Sequence, residues 1–115
     1  MSGIPETIKA VTATADRTVK VSQVPAPSLD GHPEDVIIKN YACAQNPTDW
    51  KSVAYGRTTE GNIVGNDIAG IVVAIGDSVK KVKVGERVVV DFTVLMTGCY
   101  YLRGSIYRER YRRFR

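Results

Sequence analysis

Asp67-Ile68-Ala69-Gly70-Ile71-Val72-Val73-Ala74-Ile75, residues 67–75, is the most apolar stretch of this 115-residue chain, and its reading decides the fold. It is rich in β-branched residues and closed by the turn pair Gly76-Asp77, so it reads as a strand. Gly70 inside it marks a bulge or a close backbone approach. Working outward, Val79–Val84 is a short mixed segment, Gly85-Glu86 turns again, and Arg87–Phe92 is a final strong strand. On the N-terminal side, Asp35–Ala44 sets Val36, Ile38, Asn40 and Ala42 against Ile37, Lys39, Tyr41 and Cys43. Ile8–Thr14 and Thr18–Val24 flank Asp16-Arg17 and read as a hairpin, with Val19, Val21 and Gln23 on one face. Pro25–Pro33 carries three prolines and a glycine and is expected to be an exposed connection. Pro47 after Asn46 suits the first turn of a short helix through Thr48, Asp49, Trp50 and Lys51. Closely spaced strands with little helix indicate a small barrel or sandwich.

The length allows one small domain and not two. With 43% hydrophobic and 24% charged residues, a disordered or collagen-like chain is excluded. No run of eighteen apolar residues exists, and Met1–Glu6 lacks a basic, apolar leader. Two cysteines, Cys43 and Cys99, make no disulfide framework, so a reduced cytoplasmic setting is expected. The net charge of +4 is concentrated at one end. Residues 103–115 hold six arginines and one acid, whereas residues 1–102 hold ten basic and eleven acidic side chains. The basic character therefore describes a tail and not a domain. On a helix, Tyr107, Tyr111 and Phe114 of that tail fall on one face, with arginines around them.

Most site chemistries fail on residue count. Zinc needs three or four converging soft or imidazole ligands, and the chain offers two distant cysteines and the single His32. Cys43 is expected to be a small buried hydrophobe and His32 a solvated loop residue. Gly56-Arg57-Thr58-Thr59-Glu60-Gly61 has the frame of a phosphate loop, but Asn62 and Ile63 stand where Lys and Ser/Thr are required. Gly61, Gly65 and Gly70 do not make the dinucleotide fingerprint, and His32 has no partner for a nucleophilic triad. Asn46-Pro47-Thr48-Asp49-Trp50-Lys51 remains. It is either a plain helix start, with Asn46 as cap, Asp49 favouring the positive end and Trp50 packed inward, or an anion and cofactor contact through Lys51 and the free N–H groups.

Three stretches carry a family resemblance: Asn46–Lys51, Gly65–Gly76 and Val84-Gly85-Glu86-Arg87-Val88. Their order and spacing resemble the medium-chain dehydrogenase/reductase superfamily over residues 7–92. Their wording is most similar to the zinc-independent, trans-acting enoyl reductases of fungal polyketide pathways. The zinc-dependent members carry a cysteine where this chain has Asn46, and Gly-His-Glu where it has Gly65-Asn66-Asp67. The resemblance implies a mainly β fold, a GroES-like partly open β-barrel with short helices, over residues 1–92. Residues 93–115 form a divergent Arg/Tyr-rich tail. It implies NADPH as the full-length family's cofactor, facing Thr48, Asp49, Trp50 and Lys51, with Lys51 on phosphate or ribose. The implied reaction delivers hydride to the β-carbon of an enoyl thioester.

After Gly85 only 30 residues follow, too few for a Rossmann domain. The chain is therefore expected to be a truncated catalytic-domain fragment, Rossmann domain absent, inactive alone and binding no cofactor by itself. The expected partner is a small-molecule or acyl-thioester substrate, with no nucleic acid and no membrane. The alternative is a non-enzymatic binding module whose basic tail recruits an acidic partner, nucleic acid or anionic membrane.

Overall fold

The computed structural model describes residues 3–90, 101–105 and 111–113. Strands β1 (Thr7–Ala13) and β2 (Val19–Pro25) form an antiparallel hairpin. Its tip turns at Arg17, whose φ of 61° is unusual for a residue with a side chain. The exposed Asp16 carboxylate holds that turn by accepting from the Thr14 hydroxyl and, at 2.9 Å, from the Thr18 hydroxyl. The same bonds, Thr14 first, keep the Asp16 carboxyl below its ordinary pKa.

A five-stranded antiparallel sheet takes up the remaining strands: β3 (Asp35–Ala42), β4 (Ile68–Ile75), β5 (Arg87–Val90), β6 (Tyr101–Ser105) and β7 (Tyr111–Arg113), in the order β6-β3-β4-β5-β7. Helix α1 (Pro47–Ala54) lies between β3 and β4 in the chain. The structure is thus mainly β, with this one short helix among the described residues.

Alternation along β3 feeds two apolar clusters. Val36 and Ile38 point to one side and join Ile68, Val72, Val82 and Val88. Ile37 points to the other and meets Ile8, with Val24, Ala26, Leu29, Val73 and Ala74 around them. The hairpin therefore packs over one face of the sheet. Residues 61–64 dock it further: the Val64 N–H donates to the Val11 carbonyl at 2.9 Å and the Ala13 N–H to the Asn62 carbonyl at 2.9 Å.

Gly70 makes the close approach its sequence suggests. A Cβ there would lie 2.1 Å from the Lys39 carbonyl oxygen and 2.8 Å from Ile38 Cγ2. The β3–β4 register slips on both sides of this crossing, between Ile37 and Ile38 and between Asn40 and Ala42. Gly76 is equally constrained, since a Cβ would sit 2.3 Å from the Pro33 carbonyl oxygen.

Several expectations need correction. Val19 and Val21 share a face as expected, but they are 50% and 70% exposed, because the sheet covers the opposite side of the hairpin. The connection after β2 is not simply exposed: Ala26 and Leu29 pack on the Ile8–Ile37 cluster. Tyr111–Arg113 is a strand paired with β5 and not part of an amphipathic helix. Tyr101–Ser105 likewise pairs with β3, so strands continue beyond residue 92. Strand addition at a sheet edge uses backbone N–H and C=O groups, which side-chain periodicity does not register. Asp91, Phe92, Tyr107 and Phe114 lie outside the described residues, as does Cys99. Among the described residues, no helix is long and apolar enough to cross a membrane.

Candidate functional site

The site forms where α1 begins. Asn46 takes an extended backbone conformation as the helix cap, and Pro47 occupies the first helical position, where no N–H is needed. The Asn46 N–H donates to the Asp49 carboxylate at 2.8 Å, and the Asp49 N–H donates back to the Asn46 carbonyl at 3.0 Å. This reciprocal pair satisfies two groups that a helix end otherwise leaves open. The Ser52 hydroxyl closes the first turn on the Asp49 carbonyl at 2.9 Å. The Asn46 side-chain amide points elsewhere, donating to the Asp67 carboxylate at the start of β4.

The four sequence-predicted contact residues separate into two groups. Thr48, Trp50 and Lys51 are exposed, while Asp49 is half-buried and spent on the helix start, with its second oxygen buried. Trp50 does not pack inward as expected. It is 57% exposed and stands 6.3 Å from the Tyr55 ring at 56°. The Lys51 ammonium lies 5.6 Å from the Trp50 ring centre, and the Arg57 guanidinium 5.9 Å from that of Tyr55. Both are cation–π distances. One end of α1 thus presents aromatic rings flanked by positive charge.

Behind this rim, a cleft of about 570 Å³ opens between α1 and the hairpin, walled by Val11, Val19, Trp50 and Val53, with Arg17 and Asp49 among its polar lining. Arg17 was not singled out from the sequence. Its place at a left-handed hairpin tip reflects the folded turn, and no local sequence cue marks it as a site residue.

A nicotinamide dinucleotide has phosphates, hydroxyls and flat rings to be met. Thr48, Trp50 and Lys51 fit that chemistry, supplying an accessible hydroxyl, ring and cation. Asp49 does not fit as a phosphate contact, because its carboxylate would repel the anion; it shapes the helix start instead. The residues at the implied zinc position do not suit that metal. Asn46 and Asn66 stand opposite the implied cysteine and histidine, an amide is a poor zinc ligand, and the Asn46 amide is bonded to Asp67. Among the described residues, no three His, Cys, Asp or Glu side chains gather as a metal-binding group. Cys43, expected buried, is exposed at the end of β3, where sheet cover stops. His32 is partly exposed and lies 3.6 Å from the Asp35 carboxylate.

Comparison with known proteins adds to this geometry. Residues 32–112 match the family model for the alcohol dehydrogenase GroES-like domain. A trans-enoyl reductase of Macrophomina phaseolina is 39% identical over 89 residues, covering 76% of this chain and 24% of that protein. A zinc-type alcohol dehydrogenase-like protein of Schizosaccharomyces pombe is 32% identical over 104 residues, covering 88% and 24%. A solved mycobacterial protein complexed with NADPH superposes with a TM-score of 0.68 at 21% identity, over 86% of this chain and 32% of that one. This last likeness is one of fold. The chain spans about a quarter of the length of the curated relatives it matches.

Proposed function

The chain belongs to the alcohol dehydrogenase GroES-like domain family, and from that premise we propose that it is the N-terminal catalytic-domain portion of a zinc-independent, NADPH-dependent oxidoreductase of the enoyl-reductase type. The observation that carries this reading is the start of α1. An exposed Thr48, Trp50 and Lys51 are held outward there by a helix cap tied to the residue that precedes β4.

Bound NADPH would supply the hydride for an enoyl thioester. This chain's share is to bind and orient. Lys51 offers the cofactor's phosphate or ribose a charge-assisted hydrogen bond, Thr48 a hydroxyl, and Trp50 an apolar ring surface. The Val-walled cleft beside them gives an acyl group a place away from water. The fragment reading is supported by the short span of each relative that the chain covers.

The test restores a nucleotide-binding half. The 115-residue chain by itself is expected not to oxidise NADPH with a crotonyl-type thioester. Fused to the part of the Macrophomina relative that lies beyond the matched residues, it is expected to do so equally with and without a zinc chelator. In that fusion Lys51→Ala is expected to weaken NADPH binding about tenfold, the worth of one charge-assisted hydrogen bond. Unchanged NADPH affinity would refute the Lys51 contact.

A further inference from the structure

Asn46 stands at the junction of helix α1 and strand β4. Its backbone N–H and carbonyl both bond to Asp49, one turn into α1. Its side-chain amide crosses 21 residues of sequence to the Asp67 carboxylate, one position before β4 begins at Ile68. Ile68 itself is 3% exposed and belongs to the sheet's apolar cluster. Asp67 is therefore fixed by the sheet and Asn46 by the helix, and one charge-assisted hydrogen bond joins the two.

The helix needs such a tie. It has eight residues and a single buried side chain, Val53, and isolated helices of this length are unstable in water. Its contact residues are exposed and cannot anchor it. The resemblance sets a cysteine of the zinc-dependent members at Asn46 and their Gly-His-Glu at Gly65-Asn66-Asp67, so the acceptor Asp67 falls at the Glu and Asn66 at the His. In this chain the amide of Asn46 is a poor zinc ligand and bonds to Asp67 instead.

We propose that Asn46 and Asp67 are positioning residues, an amide–carboxylate strut that sets the angle of α1 on the sheet and so the direction in which Trp50 and Lys51 are presented. The strut rests on the cofactor reading above only for its purpose. Its existence is separately measurable in the 115-residue chain without cofactor.

Asn46→Asp isolates the strut from the cap, because Asp caps a helix as well as Asn does. It removes the amide donor and sets one carboxylate against another. Amide hydrogen exchange over residues 47–54 is expected to accelerate about tenfold, while the amides of Ile38 and Val72 keep their protection. Trp50 is the sole tryptophan, so its emission should shift with the helix. The exchanged pair Asn46→Asp with Asp67→Asn rebuilds the bond with donor and acceptor reversed, and is expected to return both readouts to within about threefold of the parent.

Unchanged exchange in Asn46→Asp would overturn the strut. So would a double variant no slower than the single one, or an acceleration shared equally by Ile38 and Val72, which would mean general loosening. If the strut holds and Lys51→Ala leaves NADPH affinity unaltered, the cofactor reading fails alone. If NADPH affinity falls but the swap does not rescue, the strut fails alone.

Discussion

β2 and β3 are strands of nearly equal length, seven and eight residues, with valine or isoleucine prominent in each. In β3, Val36, Ile37 and Ile38 are all 2% exposed or less. In β2 no residue is buried. The difference lies in neighbours. β3 has β4 on one side and β6 on the other, and both its faces meet apolar side chains. Among the described residues β2 has β1 alone as a strand partner, and only its Val24 side reaches the core. Alternation tells which residues share a face; what lies over that face decides its worth.

The largest way to break the contrast is at Gly70. A methyl group there would collide with the Lys39 carbonyl of β3, a backbone atom that cannot swing away. Gly70→Ala is expected to cost upwards of about 4 kcal/mol and to abolish the cooperative thermal transition in circular dichroism. Next comes a matched pair of truncations. Ile38→Ala removes a fully buried side chain and should cost about 2–5 kcal/mol. Val21→Ala, on the open face of β2, should stay within about 0.5 kcal/mol. Urea denaturation of the two variants measures both. Equal losses would show that the outer face of β2 is covered in solution.

The smallest effect concerns the hairpin tip. The carboxyl of Asp16 sits below its ordinary pKa because Thr14 and Thr18 bond its charged form. Its contribution to stability is therefore present at neutral pH. It is lost as the pH falls from the ordinary carboxylate range, near about 4, through the lowered folded value. Exchange of the Thr18 amide, followed between pH 6 and pH 3, should show this loss in the parent and not in Asp16→Asn.

The helix start on which the candidate site is built was legible before the fold. Asn46-Pro47 marked the helix start, since a cap and a first-turn proline act within a few residues. Gly70 inside an apolar run marked a close approach for a similarly local reason. The inward Trp50 of the plain helix-start reading fails because an eight-residue helix that buries only Val53 has little core to offer a large ring. Cys43 was misjudged because strand alternation continues in sequence past the point where cover ends. Tyr107, Tyr111 and Phe114 recur at helical spacing, but Tyr111–Arg113 pairs as a strand because the edge of β5 offers its backbone to any extended segment.

By itself the amino-acid order determined the short-range features: the strands up to β5 and their faces, the hairpin, the capped helix, and a composition of only two cysteines and one histidine. These follow from steric and hydrogen-bonding preferences that act over a few residues. Tertiary structure alone decided that Asn46 meets Asp67, that the outer valines of β2 remain bare, and that the late strands join opposite edges of one sheet. Those outcomes depend on which distant segments compete for the same surface, and chain-local preferences hold no information about that competition.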